Sequence, residues 1–242
     1  MRYLSLACDY DRTLADEGSV APATLAAIRR LKASGRTPIL VTGRQMDDLQ
    51  HVFPELAIFD RVVAENGAVL YTPANQKLKA LADPPPPDFL DALRLQKVNP
   101  LGVGQVIVAT VEPHDAAVLT VIKELGLELQ VIYNRESVMV LPSGINKATG
   151  LLAALLELAI SPHQTVGVGD GENDHSLLGA CGVGVAVANA VPSLKEEADL
   201  VTRRENGKGV KELIDRLVLN DLADVKPRRS RVKLPSPIDP RR

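Results

Sequence analysis

Tryptophan is absent, and three phenylalanines and four tyrosines are the only aromatic residues among 242 positions. So few flat side chains leave little material for a base-stacking platform on nucleic acid or for an aromatic sugar cleft. Cysteine occurs twice, at Cys8 and Cys181, each inside an apolar stretch. Neither a disulfide framework nor a zinc-type cysteine cluster is available, and the pair reads as reduced core thiols of a cytoplasmic protein. Long hydrophobic runs are missing too. Stretches such as Leu151 to Ala159 fall far short of the roughly 18 to 20 residues that cross a bilayer, so no membrane role is expected. The run from Tyr3 to Cys8 is shorter than a signal-peptide core and ends in an aspartate, so export is not expected. Nor is there a large excess of charge: 28 Lys plus Arg face 30 Asp plus Glu, a formal −2.

What is present is an alternation of strand-length apolar runs with helix-period segments. Tyr3–Cys8, a helix near Pro22–Ser34, Pro38–Val41, a helix after Gly43 and Arg61–Ala64 follow the β-α-β rhythm of a parallel sheet. In the first helix Leu25, Ile28 and Leu31 share one face and Gly35 closes it, so that face is expected on the sheet. Four consecutive prolines, Pro84–Pro87, break the rhythm, since such a run cannot continue a helix or a central strand. The chain therefore reads as an α/β protein whose Rossmann-like main domain, residues 1–83 and 142–225, is interrupted by a small α/β unit, residues 84–141. In that insert a helix near 88–97, a strand near 103–111, a helix near 114–125 and strands near 127–133 and 137–141 are expected. Residues 226–242 carry seven Lys or Arg, one Asp and four prolines, a composition expected to lack fixed structure. The tail's +6 is the one feature that invites nucleic acid, through salt-sensitive, sequence-independent attraction; the rest of the chain, at −8, does not.

Three strand ends and one helix start carry the candidate chemistry. Asp9 and Asp11 follow the first buried run, and alternate strand residues point the same way, toward the crevice where open α/β sheets bind ligands. Asp-x-Asp is common, and alone it favours a turn or helix cap. Val41-Thr42-Gly43-Arg44 ends a second strand, where a hydroxyl and free amides suit either a phosphate or a plain helix cap. Gly167-Val168-Gly169-Asp170-Gly171-Glu172-Asn173-Asp174 packs three acids and an amide into five positions after a third strand, an oxygen-rich set suited to a hard cation such as Mg²⁺. Its spacing fails the EF-hand loop, the G-x-G-x-x-G fingerprint and the phosphate loop. Asn146-Lys147 opens a helix after the insert, and an isolated lysine there is ordinarily a solvated charge. Glu65-Asn66 precedes Gly67 and reads as a turn, Asn-Gly being a strong hairpin signal. His175 is expected on a helix surface rather than on a metal, and Cys8 in the core.

Taken in order, Asp9-x-Asp11-x-Thr13, Thr42-Gly43-Arg44, Lys147 and Gly169-Asp170-x-x-Asn173-Asp174 resemble the four motifs of the haloacid dehalogenase-like (HAD) phosphohydrolases. The position and α/β character of the insert resemble the cap of their IIB subclass, the Cof-like and sugar-phosphatase-like members. Glu65-Asn66-Gly67-Ala68 and the stretch from Ala186 to Val210 look like that subclass as well. The resemblance spans roughly residues 1–219; Arg12 departs from it, standing where many relatives have glycine.

The resemblance implies a Rossmann-like core with a cap over the active site and a Mg²⁺-dependent phosphatase acting on a small phosphorylated metabolite, a sugar phosphate or a phosphoglycolate-like acid. Asp9 would be the nucleophile that forms an aspartyl phosphate and Asp11 the general acid and base. Mg²⁺ would be held by Asp9, the backbone carbonyl of Asp11 and Asp170, with Asn173 and Asp174 orienting that shell. Thr42, Gly43 and Lys147 would bind the phosphate oxygens. The rival readings are a phosphohexomutase-type phosphotransferase and a non-catalytic phospho-ligand module, since fold alone does not establish activity. Substrate identity and oligomeric state are not readable from these residues.

Overall fold

The computed structural model describes residues 1–227; the expected unstructured tail lies, beyond its first two residues, outside the described part. From the N-terminus the elements are β1 (Ser5–Asp9), α1 (Pro22–Ala33), β2 (Thr37–Val41), α2 (Met46–Val52), β3 (Arg61–Ala64), β4 (Val69–Thr72) and β5 (Lys77–Ala80). Then follow α3 (Pro87–Leu95), β6 (Gly102–Val103), β7 (Val108–Val111), α4 (Asp115–Glu124), β8 (Leu129–Asn134) and β9 (Ser137–Pro142). The chain closes with α5 (Lys147–Glu157), β10 (Thr165–Gly169), α6 (His175–Ala180), β11 (Val183–Ala186), α7 (Pro192–Glu197), β12 (Leu200–Val201) and α8 (Asn206–Asn220).

Eight strands form the large sheet in the order β12-β11-β10-β1-β2-β3-β4-β5. The six from β12 to β3 are parallel, and β4 and β5 extend the sheet antiparallel beyond β3. That extension follows from Asn66-Gly67, which turns the chain back at the end of β3. Every residue of β1 and β10 is buried, as strands covered on both faces must be. The crossover β1-α1-β2 and the crossover β10-α6-β11 run in opposite directions along the sheet. Because such crossovers are right-handed, their helices lie on opposite faces: α1 packs with α8, and α6 with α5. The strand order therefore reverses between β1 and β10, and the crevice outside their carboxyl ends is where α/β sheets take ligands.

The insert is a four-stranded antiparallel sheet, β6-β7-β9-β8, with α3 and α4 packed together. Phe89, Leu93, Val98, Val108, Val118, Val121 and Val140 form its own small core. Along β9 the side chains alternate: Val140 enters that small core, whereas Met139 and Leu141 join the main one. By the period of two, one face of the insert sheet meets its helices and the other the main domain. Each fully buried side chain of that kind contributes about 1.5–3 kcal/mol, so the docked face is a cohesive contact. The single strand expected over 103–111 is instead two short ones separated by residues 104–107, and the backbone amides of 105–107 turn to a carboxylate of the main domain. Among the described residues no helix is long and apolar enough to cross a membrane.

Candidate active site

Asp9 is the last residue of β1 and Asp170 follows the last residue of β10, so the reversal point of the sheet brings both carboxylates to one crevice. Four residues on, Asp174 folds back: its Oδ2 accepts the backbone N–H of Asp170 at 2.9 Å and of Gly171 at 3.0 Å. This return needs glycine at 169, where a Cβ would stand 2.5 Å from the Asp174 Cγ. Carboxylate oxygens of Asp9, Asp170 and Asp174, all buried, lie within 4.8 Å of one another.

Lys147 enters this cluster from the first turn of α5. Asn146 caps the helix, accepting from Ala148 and Thr149 N–H while Thr149 Oγ1 accepts from the Asn146 N–H, a reciprocal cap that fixes where the helix begins. The helix can approach so closely because Gly67 and Gly150 meet face to face. A Cβ on Gly150 would lie 2.5 Å from Gly67 Cα, and one on Gly67 only 2.0 Å from the Asn146 carbonyl oxygen. Lys147, 1% exposed, then donates from Nζ to Asp9 Oδ1 and to Asp174 Oδ1, each at 2.6 Å. An ammonium has three donors, so one remains for an anion beside Asp9.

The electrostatics of the cluster are lopsided. Burial, and then the charge of Asp174, push the Asp9 carboxyl well above the usual carboxylate range against the pull of Lys147. Asp170 is raised too, by burial first, with the Arg135 hydrogen bond opposing. For Lys147 burial works against its charge, but Asp174 and Asp9 outweigh it and hold the amine charged. Asp9 and Asp174 share the single Lys147 ammonium, which leaves one buried negative charge over and favours a further cation. The donor set fits a hard metal ion: all ligand atoms are oxygen, and Asn173 Oδ1 nearby is buried with no hydrogen-bond partner.

Thr42 and Gly43 follow β2, the strand paired with β1 in a register that sets Asp9 opposite Val41. Thr42 is fully buried and its Oγ1 accepts the Arg44 N–H at 3.1 Å. Helix α2 begins only at Met46, so residues 43–45 belong to a loop and Thr42 is no helix cap. Gly43 faces the cluster's outer rim, a Cβ there lying 3.3 Å from Met139 Sδ of the cap and 3.7 Å from Asn173 Nδ2. Asn173 Nδ2 in turn donates to Asn66 Oδ1 at 3.0 Å.

Asp11 stands apart from the trio. Its carboxylate accepts from Arg44 in a fork, Nε at 2.9 and 3.0 Å and Nη2 at 2.7 Å, while Arg44 Nη1 reaches Asp48 at 2.6 Å. Arg44 also lies over the Tyr10 ring at 5.5 Å. A carboxyl that passes a proton to substrate must first leave that fork. Arg12, the departure from the family pattern, adopts φ 58°, a left-handed conformation that glycine takes freely and other residues take at a cost. Its Nε stands 3.6 Å from Asp170 Oδ2.

Sequence reasoning missed two residues. Glu65 was read as a turn residue; the turn exists, with φ 51°, 54° and 109° at residues 65 to 67, but the side chain is fully buried and accepts the N–H groups of Gln105, Val106 and Ile107 at 2.8–2.9 Å. It pins the cap loop to the core. Arg135, at the tip of the β8–β9 hairpin, donates from Nη2 to Asp170 Oδ2 at 2.8 Å, and the sequence offers no local sign of it. His175 bonds Glu197 and Ser193, away from the trio, and Cys8 is buried beside Asp9, as expected.

Comparison with known proteins agrees with this arrangement. The family model of the haloacid dehalogenase-like hydrolases matches residues 6–93 and 121–214, more than half of the chain. Phosphoglycolate phosphatase 2 of Saccharolobus solfataricus is 28% identical over 218 residues, covering 88% of this chain and 91% of that protein. Phosphoglycolate phosphatase of Methanothermobacter thermautotrophicus is also 28% identical, over 88% and 98% of the two chains. Among solved structures, a HAD/COF-like hydrolase from Plasmodium vivax superposes with TM-score 0.76 at 18% identity, covering 89% of this chain and 95% of that one. A HAD subclass IIB sugar phosphatase does so with TM-score 0.70 at 18% identity, over 88% and 98%. With its sheet order, its inserted cap and this match, the chain belongs to the haloacid dehalogenase-like hydrolases.

Proposed function

We propose that the protein is a Mg²⁺-dependent phosphatase that hydrolyses a small phosphorylated metabolite through an aspartyl phosphate on Asp9. The observation that carries this reading is the convergence of the Asp9, Asp170 and Asp174 carboxylates on the buried Lys147 ammonium at the strand reversal. Asp9 and Asp170, with the Asp11 backbone carbonyl, would hold the Mg²⁺, and Asp174 and Asn173 orient that shell through the Asp170 and Gly171 amides and the Asn66 amide. When bound, the ion supplies positive charge to the phosphoryl oxygens and relieves the like-charge crowding on Asp9.

An Asp9 carboxylate oxygen attacks phosphorus; the O–P bond forms as the P–O bond to the leaving alkoxide breaks, and Asp11 gives that alkoxide its proton. Water then attacks the phosphorus of the acyl phosphate, passing a proton to Asp11 and releasing inorganic phosphate and the Asp9 carboxylate. Thr42, the Gly43 amide and the free donor on Lys147 neutralise the equatorial oxygens, where charge accumulates. Two full-length relatives named phosphoglycolate phosphatase make 2-phosphoglycolate the first substrate to try, alongside sugar phosphates.

The test is phosphate release from a panel of small phosphomonoesters with and without Mg²⁺, with Asp9→Asn as control. Release that requires Mg²⁺ and falls at least about a thousandfold in the variant supports the reading, since losing a nucleophile removes most of the rate. Equal release by Asp9→Asn would refute the covalent route, and no release from any ester would return the mutase or the binding module to the front.

A further inference from the structure

The hairpin joining β8 to β9 reaches from the cap into the metal crevice. Asn134 Oδ1, at its tip, is buried with no hydrogen-bond partner and sits so near Gly171 that a Cβ on that glycine would stand 2.5 Å away. The Arg135 N–H donates to Glu172 Oε2 at 3.3 Å and its guanidinium to Asp170 Oδ2 at 2.8 Å. The other Asp170 oxygen accepts from Thr13 Oγ1 at 3.2 Å. Arg135 thus places a cap cation on an oxygen of the acid trio, while its side chain stays 37% exposed.

A divalent ion held by Asp9 and Asp170 competes for the same carboxylate. Arg135 Nη2 at 2.8 Å and Arg12 Nε at 3.6 Å already crowd Asp170 Oδ2, and a doubly charged ion arriving there repels the nearer guanidinium and has the advantage over it. Arg135 is then left beside the bound phosphate with a planar fork of donors and no acceptor. It stands on the cap, the side from which the leaving group is covered, because Asp9 and Lys147 occupy the floor. A fork of that geometry matches a carboxylate.

Resting on the phosphatase reading of the same site, we propose that Arg135 is a specificity residue. It passes from Asp170 to a carboxylate on the leaving group, so the enzyme selects small phosphorylated carboxylic acids over phosphoesters of neutral alcohols. The handover couples the two ligands. Mg²⁺ frees the guanidinium, and a carboxylate-bearing ester keeps it from returning to Asp170.

Two measurements on the full chain test this with Arg135→Asn, a replacement that tolerates the φ of 54° at this turn. In calorimetric titration with Mg²⁺ alone, the variant should bind the ion roughly three- to tenfold more tightly, having lost a competing charge. In kinetics, the ratio of kcat/KM for 2-phosphoglycolate to that for ethyl phosphate should fall roughly ten- to a hundredfold, the worth of a charge-assisted pair. Arg135→Lys should recover part of that ratio. An unchanged ratio overturns the specificity role, and unchanged or weaker Mg²⁺ binding overturns the competition at Asp170. A wild-type chain that releases phosphate from no ester of the whole panel defeats the phosphatase reading instead, and the Mg²⁺ titration still judges Arg135 by itself.

Discussion

Replacing Lys147 by Met keeps the buried stem and removes the charge that holds Asp9 and Asp174, each 2.6 Å from Nζ. Removing one partner of a buried ion pair costs about 3–5 kcal/mol, because the remaining charge is left uncompensated. Here the remainder is Asp9 and Asp174 with no counter-charge, while Asp170 keeps Arg135 at 2.8 Å, so the whole of that range applies. Against a typical total of about 5–15 kcal/mol the loss is large. For a domain of this size it corresponds to a fall in Tm of roughly 6–20 °C.

The pH dependence has a definite sign. Asp9 is already raised by burial and by Asp174, with Lys147 the opposing influence, and deleting Lys147 raises it further. A carboxyl raised in the folded state contributes stability that is fully present below its unfolded value of about 3.9 and is lost as pH climbs through the folded value. Lys147, itself raised, contributes fully below its unfolded value of about 10.5 and is lost only above it, so it does not shape the acidic window. The deficit of Lys147→Met relative to wild type should therefore be small near pH 4 and reach its full size at neutral pH. Divalent cations should reduce it there. Thermal unfolding followed by circular dichroism at several pH values, with and without Mg²⁺, reads this directly. A deficit below about 1 kcal/mol at neutral pH, the range of exposed pairs, or one independent of pH, would refute the compensation argument.

Two further substitutions probe how the site is held. Glu65→Gln sets an amide NH₂ against donors that now share a buried carboxylate; with hydrogen bonds to charged groups worth about 1.5–3 kcal/mol, we expect a loss of about 2–3 kcal/mol. Limited proteolysis should then cut within residues 104–107, which wild type protects. Gly150→Ala forces a methyl to within 2.5 Å of Gly67 Cα, an overpacking that costs about 1–3 kcal/mol; because α5 must retreat with Lys147 on its first turn, kcat should fall more than KM rises in steady-state assays.

Much of the site was legible because it lies where buried runs stop. Asp9, Thr42 and Asp170 each stand at or just past the last residue of a strand whose final four residues are buried, and a parallel sheet collects such ends at one edge. Lys147 gained meaning only from their company, and the structure shows why a lysine there is buried: the Gly67–Gly150 approach, a contact between segments eighty residues apart that no local pattern announces. Asn66-Gly67 gave the reversal into β4 correctly, yet the N–H donors to its neighbour's carboxylate lie forty residues away on the cap, so Glu65 read as a turn. Arg135 was invisible for the same reason. Its hairpin is legible from alternation in β8 and β9, but which core atom its tip meets depends on how the cap is seated. The strand expected over 103–111 failed at 104–107 because backbone donors there have a better acceptor in Glu65 than in a neighbouring strand.

Arg44 shows that these distant contacts form one junction. Its N–H donates to Thr42 Oγ1, its carbonyl accepts the Glu65 N–H at 2.9 Å, and its guanidinium holds Asp11 and Asp48. The hydroxyl beside the phosphate site, the carboxyl assigned to proton transfer and the carboxylate that pins the cap loop therefore hang on a single residue. Under the proposed mechanism Asp11 exchanges Arg44 for a proton-transfer partner, and the fork it leaves is bidentate and partly buried, so that exchange needs a compensating partner for the guanidinium. Asp48, in the first turn of α2 and bonded to Nη1 at 2.6 Å, keeps a counter-charge on it throughout. The main-chain links from Arg44 to Thr42 and Glu65 stay made whichever carboxylate the guanidinium holds, which lets one side chain move without loosening the phosphate cradle or the cap.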